Sequence, residues 1–133
     1  MRHLFLILLG LFIGIFGTVM AISAWQSGAG PNVQRGAMAV LAHHSAALRA
    51  DLEAGRCAAA TVLPHIEAMQ AVAAHLEPMF LPTGDDASFE RESRAFRDVL
   101  AAARGIGSDD CSAVRPVVGD VNAQCRSCHQ IFR

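Results

Sequence analysis

A chain of 133 residues with a formal net charge of −1 and no lysine has room for one domain and a targeting segment, which excludes a two-domain architecture. Its arginines are scattered singly among acidic residues with no aromatic platform, which excludes a nucleic-acid surface. A lysine-rich docking patch is missing as well, so a partner that reads charge must meet isolated arginines or an acidic face.

The chain starts Met1-Arg2-His3 and continues without a charge from Leu4 to about Trp25. A short basic start followed by an apolar run has the form of an export signal. Cleavable signals carry about 7–15 apolar residues. A run of about 22 is long enough to cross a bilayer as a helix, which favours a retained anchor over cleavage after Ala21 or Ser23. Trp25 falls where an interfacial aromatic anchors the outer end. Arg2, with no further arginine until Arg35, puts the following domain outside the cytoplasm. Gly10 and Gly14 have helix-dimer spacing, but loose membrane-helix composition is the better explanation of them. The expected organisation is a signal peptide or transmembrane anchor over 1–26, a Ser-Gly-Ala-Gly-Pro linker over 27–31, and one domain over 32–133.

Four segments of helical periodicity follow the linker. The first, about 32–54, repeats Met38, Leu41, Ser45, Leu48 and Leu52 at spacings of three and four. The second, about 57–80, does the same with Val62, Ile66, Met69, Ala73, Leu76 and Phe80. The third, about 87–104, carries Phe89, Ser93, Phe96, Leu100 and Ala103. The fourth, about 111–132, carries Val114, Val118, Val121, Cys125, Cys128 and Phe132. Such narrow stripes are what bundle packing requires. Gly55, Leu81-Pro82-Thr83-Gly84 and the stretch Gly105 to Ser108 punctuate the segments. Ser88 or Asp85-Asp86 can cap the third helix, and Ser108 to Asp110 the fourth. Pro64 and Pro116 require either later helix starts or kinks. Short connections make neighbours antiparallel, so the expected fold is all-α, an up-down-up-down four-helix bundle preceded by the hydrophobic N-terminal helix.

Cys125-Arg126-Ser127-Cys128-His129 is a C-x-x-C-H motif. Two thiols at this spacing can form thioethers with the two vinyl groups of one haem, and the adjacent imidazole can ligate its iron. Both cysteines fall on the inward stripe of the last helix, in a core rich in alanine where a porphyrin would supply apolar volume. His129 lies roughly 6 Å and Met38 roughly 9 Å from the same end of the bundle. Met38 is therefore the candidate second iron ligand, against the alternative of an ordinary core methionine. His43 and His44 point about 140° and 120° away from Met38 around the first helix and are expected at the surface or bundle edge. His65 and His75, ten residues apart, are expected to be solvated. Cys57 and Cys111 open the second and fourth helices at the opposite end of the bundle. They are disulfide partners if their Cα atoms come close enough, and otherwise two unpaired thiols.

The ending Cys125-Arg126-Ser127-Cys128-His129-Gln130-Ile131-Phe132-Arg133 resembles the C-x-x-C-H-x-x-[YF]-R terminus of class II c-type cytochromes, the cytochrome c-prime family. Val117-Val118-Gly119, Phe80-Leu81-Pro82 and the stretch from Met38 to Leu48 fit the same family, over about 32–133. The resemblance implies a periplasmic four-helix bundle with one covalent haem c, anchored by Cys125 and Cys128 and ligated by His129. Arg133 would stay near the proximal side. If Gln34-Arg35 aligns with the family's Arg-Gln pair, whose order is inverted here, Met38 falls at the residue that divides the family. A methionine there implies a six-coordinate electron carrier, and an apolar residue a five-coordinate protein open to nitric oxide or carbon monoxide.

The expected function is thus a periplasm-facing monohaem cytochrome that exchanges electrons with redox partner proteins. It is not an enzyme, and the inner membrane is reached through residues 4–25 if the signal is retained. Homodimerisation is a habit of the family. The alternative is the five-coordinate gas-binding protein. A thiol-disulfide oxidoreductase is disfavoured because its dithiol belongs at a helix N-terminus after a strand.

Overall fold

The computed structural model describes residues 2–28, 32–105 and 110–132, and within its first helix the side chains at 7 and 9–23. Among these residues every regular element is a helix: α1 (Arg2–Gly28), α2 (Val33–Glu53), α3 (Ala59–Ala73), α4 (Leu76–Phe80), α5 (Asp86–Ala103) and α6 (Cys111–Ile131). The chain divides into two compact units, Met1–Asn32 and Val33–Arg133.

In the first unit α1 continues through Ser27 and Gly28, so the expected linker at 27–31 begins inside a helix, and 29–31 lie outside the described residues. Its described apolar side chains, among them Ile7, Phe12, Ile15 and Val19, are all exposed. Phe12 and Phe16 stack one turn apart, with ring centroids 6.2 Å apart. Thr18 Oγ1 donates to the Gly14 carbonyl at 2.8 Å. Among the described residues no helix is long and apolar enough to cross a membrane.

The second unit is a helical bundle. α2 packs on α3 and α6, and α5 packs on the same two helices from the other side. Cross-helix bonds give the directions: Gln34 reaches the Met79 carbonyl while His44 meets His65, and Glu92 meets Gln124 while Phe89 meets Phe132. Rising numbers on one helix oppose falling numbers on the next, so these neighbours are antiparallel. The stripes become the core. Leu48, Val62, Ile66, Met69, Leu100, Val114 and Val121 are each at most 1 % exposed, and each such side chain contributes roughly 1.5–3 kcal/mol of apolar burial.

The second segment is not one helix: it breaks at Ala74-His75 into α3 and α4. Pro78 supplies the reason. In a continuous helix its ring would meet the Ala74 carbonyl and its missing N–H would cost a bond, whereas in the first turn of a new helix both are harmless. Pro64 and Pro116 sit inside α3 and α6, which begin ahead of them. Gly55, with φ +70°, takes the left-handed conformation that closes α2, and the Arg56 N–H returns to the Asp51 carbonyl at 2.8 Å. Asp85 caps α5 by accepting from the Ser88 N–H at 3.0 Å, and Asp110 caps α6 through Ser112. Ser108 and Asp109 lie outside the described residues.

Cys57 and Cys111 are joined in a disulfide, their Cα atoms 5.0 Å apart, across the ends of the bundle where α3 and α6 begin. The loop it closes spans 54 residues.

Candidate functional site

At the other end of the bundle the stripes open. Met38, Phe80 and Phe132, the end members of three stripes, and Cys125 are only partly buried and pack against the core from outside it. They surround a cavity of about 1160 Å³ whose walls include Met38 from α2, Phe80 from α4, Phe89 from α5, and Cys125, Cys128 and His129 from α6. A second cavity of about 270 Å³ continues inward between Leu41, Ser45, Leu76, Ser93 and Phe96, and shares Met38, Cys125, Cys128 and His129 with the first. Spacings of three and four set the two thiols and the imidazole on one side of α6. The antiparallel packing of α2 on α6 brings Met38 to the same space. Arg133 lies outside the described residues.

The walls are apolar and aromatic. Phe80 stacks on Phe89 at 5.5 Å between centroids, and Phe89 meets Phe132 edge-on at 5.3 Å. Phe80, Phe89 and Phe132 were legible as core stripe residues, but their joint role as a cavity wall depends on where the stripes end.

Polar groups line the rim. Arg49 donates to Asn122 Oδ1 at 2.9 Å, Ser45 donates to the same oxygen at 3.3 Å, and the Asn122 amide donates back to the Val118 carbonyl at 2.8 Å. Arg126 also borders the larger cavity. On the α5 side Glu92 accepts from Gln124 Nε2 at 2.9 Å and from Ser127 Oγ at 3.0 Å, which ties the residue between the two cysteines to a neighbouring helix. No sequence signal singles out Arg49, Glu92 or Asn122, because each acts on a residue more than thirty positions away.

Unlike Cys57 and Cys111, Cys125 and Cys128 are not bonded to each other. Burial pushes the Cys125 thiol up, against a smaller opposing pull from Arg126. Burial, Glu92 and Cys125 all push the Cys128 thiol up. A thiol-exchange enzyme needs the reverse, a lowered thiol pKa at a helix N-terminus. These two lie in the last two turns of α6, where the helix dipole also opposes a thiolate.

Among the described residues no three or more His, Cys, Asp and Glu side chains converge as a metal-holding group. The donor set at the cavity suits a prefabricated metal complex instead: two thiols for covalent attachment, one imidazole, one thioether, an aromatic wall for a flat apolar disc and two arginines at the rim for its carboxylates.

Of the other histidines, His43 and His75 are exposed as expected. His44 is at the bundle edge as expected, but His65 is not simply solvated: both are half-buried and face one another across the seam between α2 and α3. No protein-family model, no curated protein and no solved structure matches the chain.

Proposed function

We propose that this chain is a monohaem c-type cytochrome of the class II type, an electron carrier in an up-down-up-down four-helix bundle. Cys125 and Cys128 would hold the haem by thioether bonds, His129 would be the proximal ligand and Met38 the distal one. Bound there, the haem supplies one-electron iron redox chemistry. The protein's part would be to hold both ligands, exclude water with Phe80, Phe89 and Phe132, and offer Arg49 and Arg126 to the carboxylates of the group. The observation that carries the reading is that Met38 lines the same two cavities as Cys125, Cys128 and His129, although α2 and α6 lie at opposite ends of the domain sequence.

An exported location agrees with the Cys57–Cys111 disulfide, since such bonds persist in oxidising compartments. We assign the domain to the periplasm, with residues 4–25 as its signal or its tether to the inner membrane. Its partners are redox proteins, and a second copy of the chain is the partner that the family resemblance adds. No enzymatic step is assigned to it.

Mass spectrometry of the exported protein tests the cofactor. A haem adduct on the peptide that contains Cys125 and Cys128 is expected; an unmodified peptide would overturn the reading. The second reading, a five-coordinate haem protein for nitric oxide or carbon monoxide, is favoured by the inner cavity beside Met38, which has room for a small ligand. Carbon monoxide binding to the ferrous protein as fast in the wild type as in Met38→Ala would select it.

A further inference from the structure

Away from the cavity, α2 and α3 carry a string of polar side chains that haem binding does not use. His44 Nδ1 stands 3.0 Å from His65 Nδ1, with the rings 5.3 Å apart and tilted by 53°. His65 Nε2 lies 3.3 Å from Asp51 Oδ2. Asp51 is buried, and its other oxygen accepts from Arg56 Nε at 2.9 Å and Nη2 at 2.6 Å.

The arrangement has a direction. An ionised carboxylate accepts only, so the proton of neutral His65 belongs on Nε2, facing Asp51. Its Nδ1 then offers a lone pair to the gap that His44 Nδ1 faces. Asp51 is held in place by Arg56 and orients His65, as carboxylates orient the histidines of metal centres. Two nitrogens 3.0 Å apart can bind one ion at about 2.0–2.1 Å each, with an angle at the metal near about 90°. His44 needs only to carry its proton on Nε2 instead of Nδ1. Burial and the neighbouring His65 and His43 also disfavour its charged form.

We propose that His44 and His65 form a site for a divalent first-row transition ion at the α2–α3 seam, with Asp51 as the positioning residue and water in the remaining coordination positions. An imidazole pair suits copper, nickel and zinc, and the general order of affinities puts Cu(II) first. The ion would cross-link α2 to α3. The exposed His43, whose ring meets His44 edge-on at 5.1 Å, flanks the site.

The test is titration of the full-length His3→Gln protein, which lacks the copper-chelating amino terminus Met1-Arg2-His3, with Cu(II) near neutral pH, followed by calorimetry and electron paramagnetic resonance. One copper with two imidazole nitrogens is expected. His44→Gln and His65→Gln should each lose the two-nitrogen pattern. Asp51→Asn should weaken binding about ten- to hundredfold while keeping the pattern. His75→Gln, on an exposed residue outside the site, should change nothing. Circular dichroism establishes that each variant is folded. The proposal is overturned if no copper binds, or if the nitrogen pattern and the affinity survive in both His44→Gln and His65→Gln.

Discussion

The two ends of the helical bundle each carry a cysteine pair, and the pairs behave in opposite ways. At one end Cys57 and Cys111 are bonded, and Leu48, Val62, Leu100 and Val114, in the halves of their helices toward that end, are each at most 1 % exposed. At the other end Cys125 and Cys128 stay apart, Met38, Phe80 and Phe132 reach only partial burial, and a large cavity opens beside them. The difference separates two tasks that one small domain must perform. One end is closed by burial and a covalent tie, and the other leaves a cavity lined by two free thiols, the end to which the proposed function assigns the haem. Function in this account belongs to the loosely packed end, and it is affordable because the other end is closed.

The comparison breaks most visibly at the cysteines. Cys125→Ser combined with Cys128→Ser should abolish covalent haem entirely, as read by mass and by visible absorption, while Cys57→Ser with Cys111→Ser should leave the haem spectrum unchanged. The latter change should instead cost about 4 kcal/mol by the loop-entropy estimate for the closed segment, measured by urea denaturation of the oxidised protein and the variant.

A next contrast lies in the packing. Leu48→Ala at the solid end should cost about 2–5 kcal/mol, the range for large-to-small changes in a filled core. Ile131→Ala at the open end, on a side chain 51 % exposed, should stay within about 0.5 kcal/mol. Equal losses in urea melts would contradict the division between the ends.

The smallest effect should be the same at both ends. Ser88 holds the Asp85 carboxyl below its ordinary value at the open end, and Ser112 does the same for Asp110 at the closed end. A folded-state pKa below the unfolded one means the caps stabilise above the ordinary aspartate range. That contribution is lost as pH falls through the folded values. Asp85→Asn and Asp110→Asn should therefore flatten the acid limb of a Tm-against-pH profile and leave the neutral plateau nearly unmoved.

Much of this division was readable from residue order. Helical periodicity located the core because burial needs only the spacing within one helix. All five stripe residues of α5 and the upper three of α6 are buried as expected. The break between α3 and α4 escaped because the stripe from Val62 to Phe80 runs through it in register, and only Pro78 betrays it. His65 was misjudged for a related reason. Angles around one helix place His44 off the Met38 stripe, but they do not say that His65 of the next helix occupies the same seam. The cavity rim was equally hidden, since Arg49 and Asn122 are 73 positions apart and meet only through the antiparallel packing of α2 on α6.

The most direct test of the open end as an iron site with two protein ligands is the optical spectrum of the purified ferric protein, wild type beside Met38→Ala. A low-spin spectrum with a sulfur-to-iron charge-transfer band, lost in the variant, is the predicted result. A high-spin spectrum that the substitution leaves unchanged would contradict it.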